Sequence, residues 1–317
     1  MAPVKWPDDV DAVLAGDLTA ALAYATPAKG AVLAPVAPVG LRDRAAGTVG
    51  FTTSLGFGRK LERIKAHPQV TLAYHAREHG FATGTELVVV QGTASFDPEP
   101  DAELMESMVA QRAARFMGPA QRGRLWDPWL HEYYADRLVV DVAVRRIVAW
   151  PDLLAAGEPR VFGEPLPDPP PSQRPPGQGT GPRVDVDTVA RRVARLPHRL
   201  VGYVQADGFP AVVPVALGAR GPEGVELSAA PGLLPPGARR TGLTAHTYRA
   251  KLIGLEARQH TGWLEVAQDG RAVYAPHTAA GFQAPPNKTL LLIANGGMAK
   301  VGLWRARRQR RVEALKD

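Results

Sequence analysis

The sequence predicts a mainly β protein with helices, built as two tandem antiparallel barrels joined by an extended linker. Three observations carry that expectation: short strands at even spacing, two halves that echo each other, and a proline-rich divide near the middle. At 317 residues the chain is long for one small domain and suits two, each with its own core. Residues 159–182, "PRVFGEPLPDPPPSQRPPGQGTGP", hold nine prolines in 24 residues and almost nothing apolar, the composition of a semi-rigid spacer. The expected domains are residues 1–155, a linker over 156–184, a second barrel over 185–282 and a basic helical tail over 283–317.

Each half opens with a helix. Val10, Val13, Leu14 and Leu18 share one face of the first. Val186, Val189, Val193 and Leu196 share one face of the second, with Asp185 or Asp187 as its N-cap. Strands follow over residues 21–26, 31–39, 48–53, 70–75 and 87–95, where β-branched and aromatic residues alternate between turn signals. "PDAELMESMVAQRAARFM" begins a helix at Pro100 and Asp101, and "RLVVDVAVRRIVAW" alternates as a closing strand. Even strand spacing with few helices favours an antiparallel barrel over a parallel sheet. In the tail, Leu290, Leu291, Ile293 and Ala294 form a helix expected to cover an open barrel edge. Gly296-Gly297 should break it before a second, basic helix.

The repeat rests on two pairs of segments. "LAYATPAKGAVLAPVAPVG" is echoed by "LVGYVQADGFPAVVPVALG", an aromatic-bearing strand, a glycine turn and a strand containing Pro-Val. "FTTSLGFGRKLERIKAHPQVTLAY" is echoed by "LTAHTYRAKLIGLEARQHTGWLEV", which sets Lys251 against Lys60.

Composition excludes several classes. With no cysteine there is no disulfide framework, thiolate nucleophile or cysteine-held metal. Nothing resembles a signal peptide or a membrane span, so a cytoplasmic protein without a membrane partner is expected. The net charge of +7 is concentrated in Arg305, Arg307, Arg308, Arg310 and Arg311; residues 1–304 carry +3. A solvated helix face accounts for such a tail more simply than nucleic-acid binding. "HEYY", residues 131–134, looks like the start of a zinc helix but lacks the second histidine, so no metal is expected. No nucleophile elbow and no carboxylate pair for hydrolysis appear.

One stretch does gather chemistry. In "GTVGFTTSLGFGRK" a strand ending in Thr52, Thr53 and Ser54 passes through a glycine-spaced loop to Arg59 and Lys60 at a helix start. Hydroxyls, close-approaching backbone and fixed cations are the parts of an anion site. The order of strand, glycine turn, Pro-Val strand, "FTTS" with "RK", then "HPQVTLAYH" and "LVVVQGTASF", resembles the FMN-binding split β-barrels named for pyridoxamine 5'-phosphate oxidase, which include deazaflavin-dependent oxidoreductases. The resemblance covers residues 7–152 well and 186–275 more loosely.

It implies that Thr52, Thr53, Ser54, Arg59 and Lys60 hold a cofactor phosphate, that FMN or the deazaflavin coenzyme F-420 is the cofactor, and that the activity is hydride transfer to or from a small-molecule redox substrate. Family members are usually homodimers, so a tandem chain implies an intramolecular pseudo-dimer, with further dimerisation open. The second half would form a wall with His246, Tyr248 or Trp263 near the ring and keep Lys251 as a cation, its hydroxyl cluster thinned to Thr244. Haem stands behind both flavins: His246, His260 and His277 are each available as an axial ligand, but a lone histidine is ordinarily structural. No catalytic side chain is expected, since the cofactor does the chemistry. The rival is a non-catalytic protein that carries a flavin, haem or another anionic ligand on the same fold.

Overall fold

In the computed structural model residues 2–316 are described; Met1 and Asp317, at the outer ends of the first and last expected segments, lie outside them. The first half begins with α1 (Asp8–Gly16), whose Val10, Val13 and Leu14 are buried. Its strands are β1 (Ala20–Ala25), β2 (Ala31–Val36), β3 (Arg42–Asp43), β4 (Thr48–Ser54), β5 (Gln69–Tyr74), β6 (Leu87–Ser95), β7 (Arg137–Trp150) and β8 (Arg160–Gly163). A 3-10 turn (Leu55–Phe57) and α2 (Gly58–Ala66) join β4 to β5. Between β6 and β7 lie α3 (Ala102–Leu104), a π-turn (Met105–Val109), α4 (Ala110–Met117) and α5 (Trp126–Ala135).

The second half runs α6 (Val186–Ala194), β9 (His198–Val204), β10 (Pro210–Pro214), β11 (Ala216–Gly221), β12 (Gly224–Ser228), β13 (Gly237–Thr247), β14 (Glu256–Val266) and β15 (Ala272–Gln283). Asp185 caps α6 by accepting from the Thr188 amide at 2.7 Å. The chain ends in α7 (Lys288–Arg308) and α8 (Arg311–Lys316).

Both sheets have one topology. The first is ordered β2-β1-β5-β6-β7-β4-β3, with β8 beside β7, and the second β10-β9-β13-β14-β15-β12-β11. Every pairing is antiparallel. Ladder positions give the true correspondence between halves. Ala21 pairs with Pro35 and Ala73, and Leu200 with Pro214 and Thr244, so Pro35-Val36 corresponds to Pro214-Val215 and Tyr24 to Tyr203.

This corrects the second expected echo. The segment opening at Leu243 lies in β13, which occupies the place of β5; the counterpart of β4 is β12. Lys251 is therefore not the second-half copy of Lys60, and α2 has no counterpart, because residues 229–236 form no helix. The two stretches look alike since each is a threonine-bearing strand followed by a basic turn. Only pairing tells them apart, because strand register is not a property of local sequence.

A shared bulge marks the duplication. Register shifts between Gln91 and Gly92 on β6 and between Thr261 and Gly262 on β14. A Cβ at Gly92 would run into the Ala143 carbonyl, and one at Gly262 into the Ala275 carbonyl. Gly262→Ala is accordingly expected to destabilise the protein by about 2–3 kcal/mol, read as a fall in urea midpoint. An unchanged midpoint would mean that the bulge can shift.

The halves meet through Ala21, Leu33, Ala73, Val89, Leu200 and Val212, with the Leu33 side chain filling the space above Gly202 and Gly242. Arg146, buried, donates to Gln91 Oε1 at 2.6 Å and to Asp207 across the interface at 2.7 Å. The proline-rich segment takes part: its β8 pairs with β7, and the Gln173 amide group reaches Arg240 N at 3.1 Å and the Lys29 carbonyl at 2.9 Å.

The C-terminal tail differs from expectation in two ways. Helix α7 runs unbroken through Gly296-Gly297, and the chain turns at Arg310, at positive φ, before α8. Gly296 is a close-approach residue, since Trp129 of α5 lies against it and donates its indole N–H to the Ile293 carbonyl at 3.1 Å. Among the described residues, the tail also packs chiefly on helices and a turn rather than on a sheet edge. Helix α7 packs on α5 and, through Gly302 against Gly56, on the turn before α2, while α8 packs on α2 with Arg311 paired to Glu62. No helix among the described residues is long and apolar enough to cross a membrane.

Candidate functional site

A cavity of about 420 Å³ lies on the outer face of the first sheet. Its floor is the end of β4 and the start of β7; its walls are α3 to α5, the Lys251–Ile253 turn of the second half and the first turns of α7. Because α3 to α5 occur only between β6 and β7, and β14 runs into β15 through residues 267–271, the second half has no such walls. Asp101 starts the α3 rod by accepting from the Leu104 amide at 2.9 Å, as its sequence position suggests.

Strand alternation sorts the predicted residues. Thr52 faces the cavity, where its hydroxyl accepts from Arg137 Nη2 at 2.7 Å. Arg137, set opposite Ser54 by register, lies over the Tyr133 ring at 5.3 Å. Thr53 is buried on the other face, its hydroxyl without a partner among the described residues. Ser54 caps the following turn by accepting from the Gly56 amide at 3.1 Å, and Arg59 is exposed. The glycine loop itself is covered by α7 and α8: Gly58 meets the Arg311 side chain.

Lys60 points behind the strand, 4.9 Å from the Phe57 ring and 6.0 Å from that of Phe51. Desolvation, with the Arg137 charge adding, pushes its ammonium down to about 7. A base held below its unfolded pKa folds more favourably once deprotonated, so stability should rise from pH 7 to about 10. Lys60→Met should remove that rise and lift the midpoint at pH 7; an identical pH profile would mean that the ammonium reaches solvent.

Lys251 enters from the second half. It and Leu252 are consecutive non-glycine residues at positive φ, +61° and +58°, a strained turn of the kind found at binding sites. The turn brings the ammonium beside Gly118 at the C-terminal end of α4, where a cation is favoured. Arg122 and Lys288 complete four cations around the cavity, against Glu106 and Asp127. Arg122 lies over Tyr134 at 5.4 Å, and burial pushes the Tyr134 hydroxyl up. Met105, Val109, Ala113, Met117, Leu291 and Leu292 supply the apolar lining.

Sequence reasoning missed Arg137, Arg122, Tyr133, Tyr134 and Lys288. Its one signal near them was "HEYY", noticed for zinc: His131, Tyr133 and Tyr134 do line the cavity. Arg137 opens an alternating apolar strand, which marks it as unusual, but only the β4–β7 register brings it to Thr52.

His246 and Tyr248 belong elsewhere. Two residues beyond the equivalent positions Ala73 and Thr244 stand His75 and His246, which meet across the interface with Nε2 atoms 2.7 Å apart. His75 donates Nδ1–H to the Ala73 carbonyl at 2.9 Å, so its Nε2 accepts and His246 donates. His198 joins them at a ring separation of 5.1 Å from His246, and Tyr248 stacks on both His198 and His246. Burial pushes His75 down to about 3 and His246 well below its ordinary value, and lowers His198 despite Glu78 at 3.3 Å. A hydrogen bond of 2.7 Å is closer than two nitrogens on one zinc ion would lie, about 3.3 Å for tetrahedral bonds of 2.0 Å. No cluster among the described residues has metal-site geometry. His260 and His277 donate toward the Thr278 and Thr180 carbonyls and stand away from the cavity.

The fold is a split β-barrel, present twice in one chain. No family model and no curated protein matches the sequence. Among solved structures, an F-420 reductase is 17% identical over 45% of this chain and 98% of its own, with a TM-score of 0.34. A pyridoxamine 5'-phosphate oxidase-related, FMN-binding protein from Nostoc punctiforme is 11% identical over 63% and 87%, at 0.30. A heme binding protein from Mycobacterium smegmatis is 12% identical over 93% and 99%, at 0.32. At these identities and scores the likeness carries no function to this chain.

Proposed function

We propose that the cavity binds one phosphorylated flavin-type cofactor, FMN or its deazaflavin counterpart, and that the protein is an oxidoreductase. The observation that carries this reading is the Arg137–Thr52 pair on the floor of a cavity ringed by Lys251, Arg122 and Lys288. A phosphate needs convergent donors and gains from charge-assisted bonds, whereas a planar ring needs an apolar slot with aromatic faces. Both are present, so the residues fit the group. The bound cofactor would supply hydride transfer.

The chain's own residues have simpler tasks. Arg137, Thr52 and Lys251 would hold the phosphate, Tyr133 and Tyr134 would flank the ring, and Met105 of the π-turn and Met117 of α4 with Leu291 and Leu292 would exclude water. No side chain is assigned a bond-making role. The phosphate assignment moves from the loop at Arg59 and Lys60 to the face of β4 that Thr52 shares with Arg137.

The test is an absorbance titration of the purified protein with FMN, the deazaflavin coenzyme and haem in turn, followed by mixing the reduced complex with an electron acceptor. Saturable binding of either flavin and reoxidation by the acceptor support the reading. Binding without electron transfer would make the protein a carrier, and binding of haem alone, with His131 as the cavity histidine, would overturn it.

A further inference from the structure

Helix α7 is apolar on both faces. Its inner face is accounted for: Leu303 and Ala306 are buried against the first barrel, and Leu291 and Leu292 line the cavity. Its outer face is not. Leu290, Ile293, Val301 and Trp304, spaced three or four residues apart or multiples of that, form a stripe along about four turns, with Trp304 57% and Leu290 54% exposed. Phe57, on the turn against which α7 packs, is 63% exposed as well. An apolar helix face is ordinarily covered, and exposed apolar patches of this kind mark contact surfaces.

Charge selects the occupant. Helix α7 contains Lys288, Lys300, Arg305, Arg307 and Arg308 and no acidic residue. Arg308 lies over the Trp304 ring at 5.2 Å, which sets a guanidinium at the end of the stripe, and Arg310 is exposed just beyond. A second copy of this face would bring like charges together. A nucleic acid would use the arginines and leave the aliphatic stripe in water. An anionic lipid surface satisfies both, with arginines at headgroup level, tryptophan at the boundary and aliphatic side chains beneath.

We propose that α7 lies flat on anionic membranes through this stripe. No helix among the described residues is long and apolar enough to span a membrane; lying on a surface requires only an exposed apolar face with cations beside it. Independently of what the cavity binds, α7 then joins the cavity wall to the bilayer.

The full chain should be tested by co-sedimentation with vesicles of phosphatidylcholine alone and of phosphatidylcholine with about 30% phosphatidylglycerol, at about 0.05 M and 0.5 M salt, where screening differs several-fold. Retention is expected on the anionic vesicles at low salt, at least ten-fold weaker on neutral ones and in high salt. A Val301→Glu/Trp304→Glu variant should lose it ten-fold or more while keeping its thermal midpoint, since both positions are exposed. Absence of binding to anionic vesicles, or equal binding by the variant, would overturn the proposal. So would light scattering showing a dimer that the same two substitutions dissolve, which would assign the stripe to a second copy.

Discussion

Replacing Arg137 with alanine is expected to weaken cofactor binding by roughly 10–100-fold, the 1.5–3 kcal/mol of a charge-assisted hydrogen bond, and to leave the fold intact. Arg137 opens β7 at the cavity floor, with its guanidinium on Thr52 and over Tyr133, so truncation removes a fixed cation and frees a hydroxyl. Arg137→Lys should recover little, because an ammonium cannot reproduce the planar stacked fork. Lys251→Ala should weaken binding less, having a flexible stem, yet more than Arg59→Ala, whose side chain is exposed and away from the cavity. Fluorescence titration of all four against FMN is the check. If Arg59→Ala proved the most damaging, the anion would sit at the start of α2, as the sequence alone suggests.

The second large effect concerns pH. His75 and His246 meet near the pseudo-twofold relation between the halves, and the groups around them are His198, His79, Glu78, Arg77, Arg199, Asp17 and Tyr248. Of these, Asp17 is itself pushed up to about 8 by burial, although Arg77 pairs with it, and Glu78, 3.3 Å from His198, is outweighed there by burial. The folded state holds the histidine pair neutral, whereas the unfolded chain takes up protons near 6.5.

Stability therefore stands complete above pH 6.5 and falls as pH drops below it, and the His75 contribution stops falling near 3. At pH 5 His75 alone should cost about 2 kcal/mol relative to neutral pH, and His246 acts in the same direction. Urea midpoints from pH 7.5 to 4.5 should show this loss, and a His75→Leu/His246→Leu variant should show a much flatter profile, since replacing both partners of a buried hydrogen bond with apolar groups can be nearly neutral. An acid slope as steep in the variant as in the parent would place the titration elsewhere.

Much of the fold was legible because it depends on short-range pattern. The strand over residues 87–95, the closing strand from Arg137 to Trp150 and the Asp185 cap are all local signals, and each forms. What could not be read depended on pairing. The similarity of a threonine strand and basic turn at Thr52 and at Thr244 was real, but register assigns one to β4 and the other to β13. The same limit hid Arg137, 83 residues or more from the hydroxyls and placed among them only by the ladder.

The tail shows a third kind of limit. Gly296-Gly297 reads as a helix break by propensity, yet Trp129 needs the absence of a side chain there, and tertiary packing overrides the local cost. The family resemblance sets His246 and Tyr248 in a wall beside the cofactor, because it implies a pseudo-dimer whose second half faces the first. Their neighbours in the structure are other rings and the opposite half of the chain.

The most direct test of the central claim is the number of FMN molecules bound per chain at saturation, measured by calorimetric titration. A floor on the first sheet, walls that depend on the α3–α5 insertion, and a second half with no counterpart of that insertion or of α2 require one. Two equivalents would mean that the second barrel keeps a working site despite lacking those elements, and none, under conditions where the protein is folded, would contradict a flavin site in this cavity.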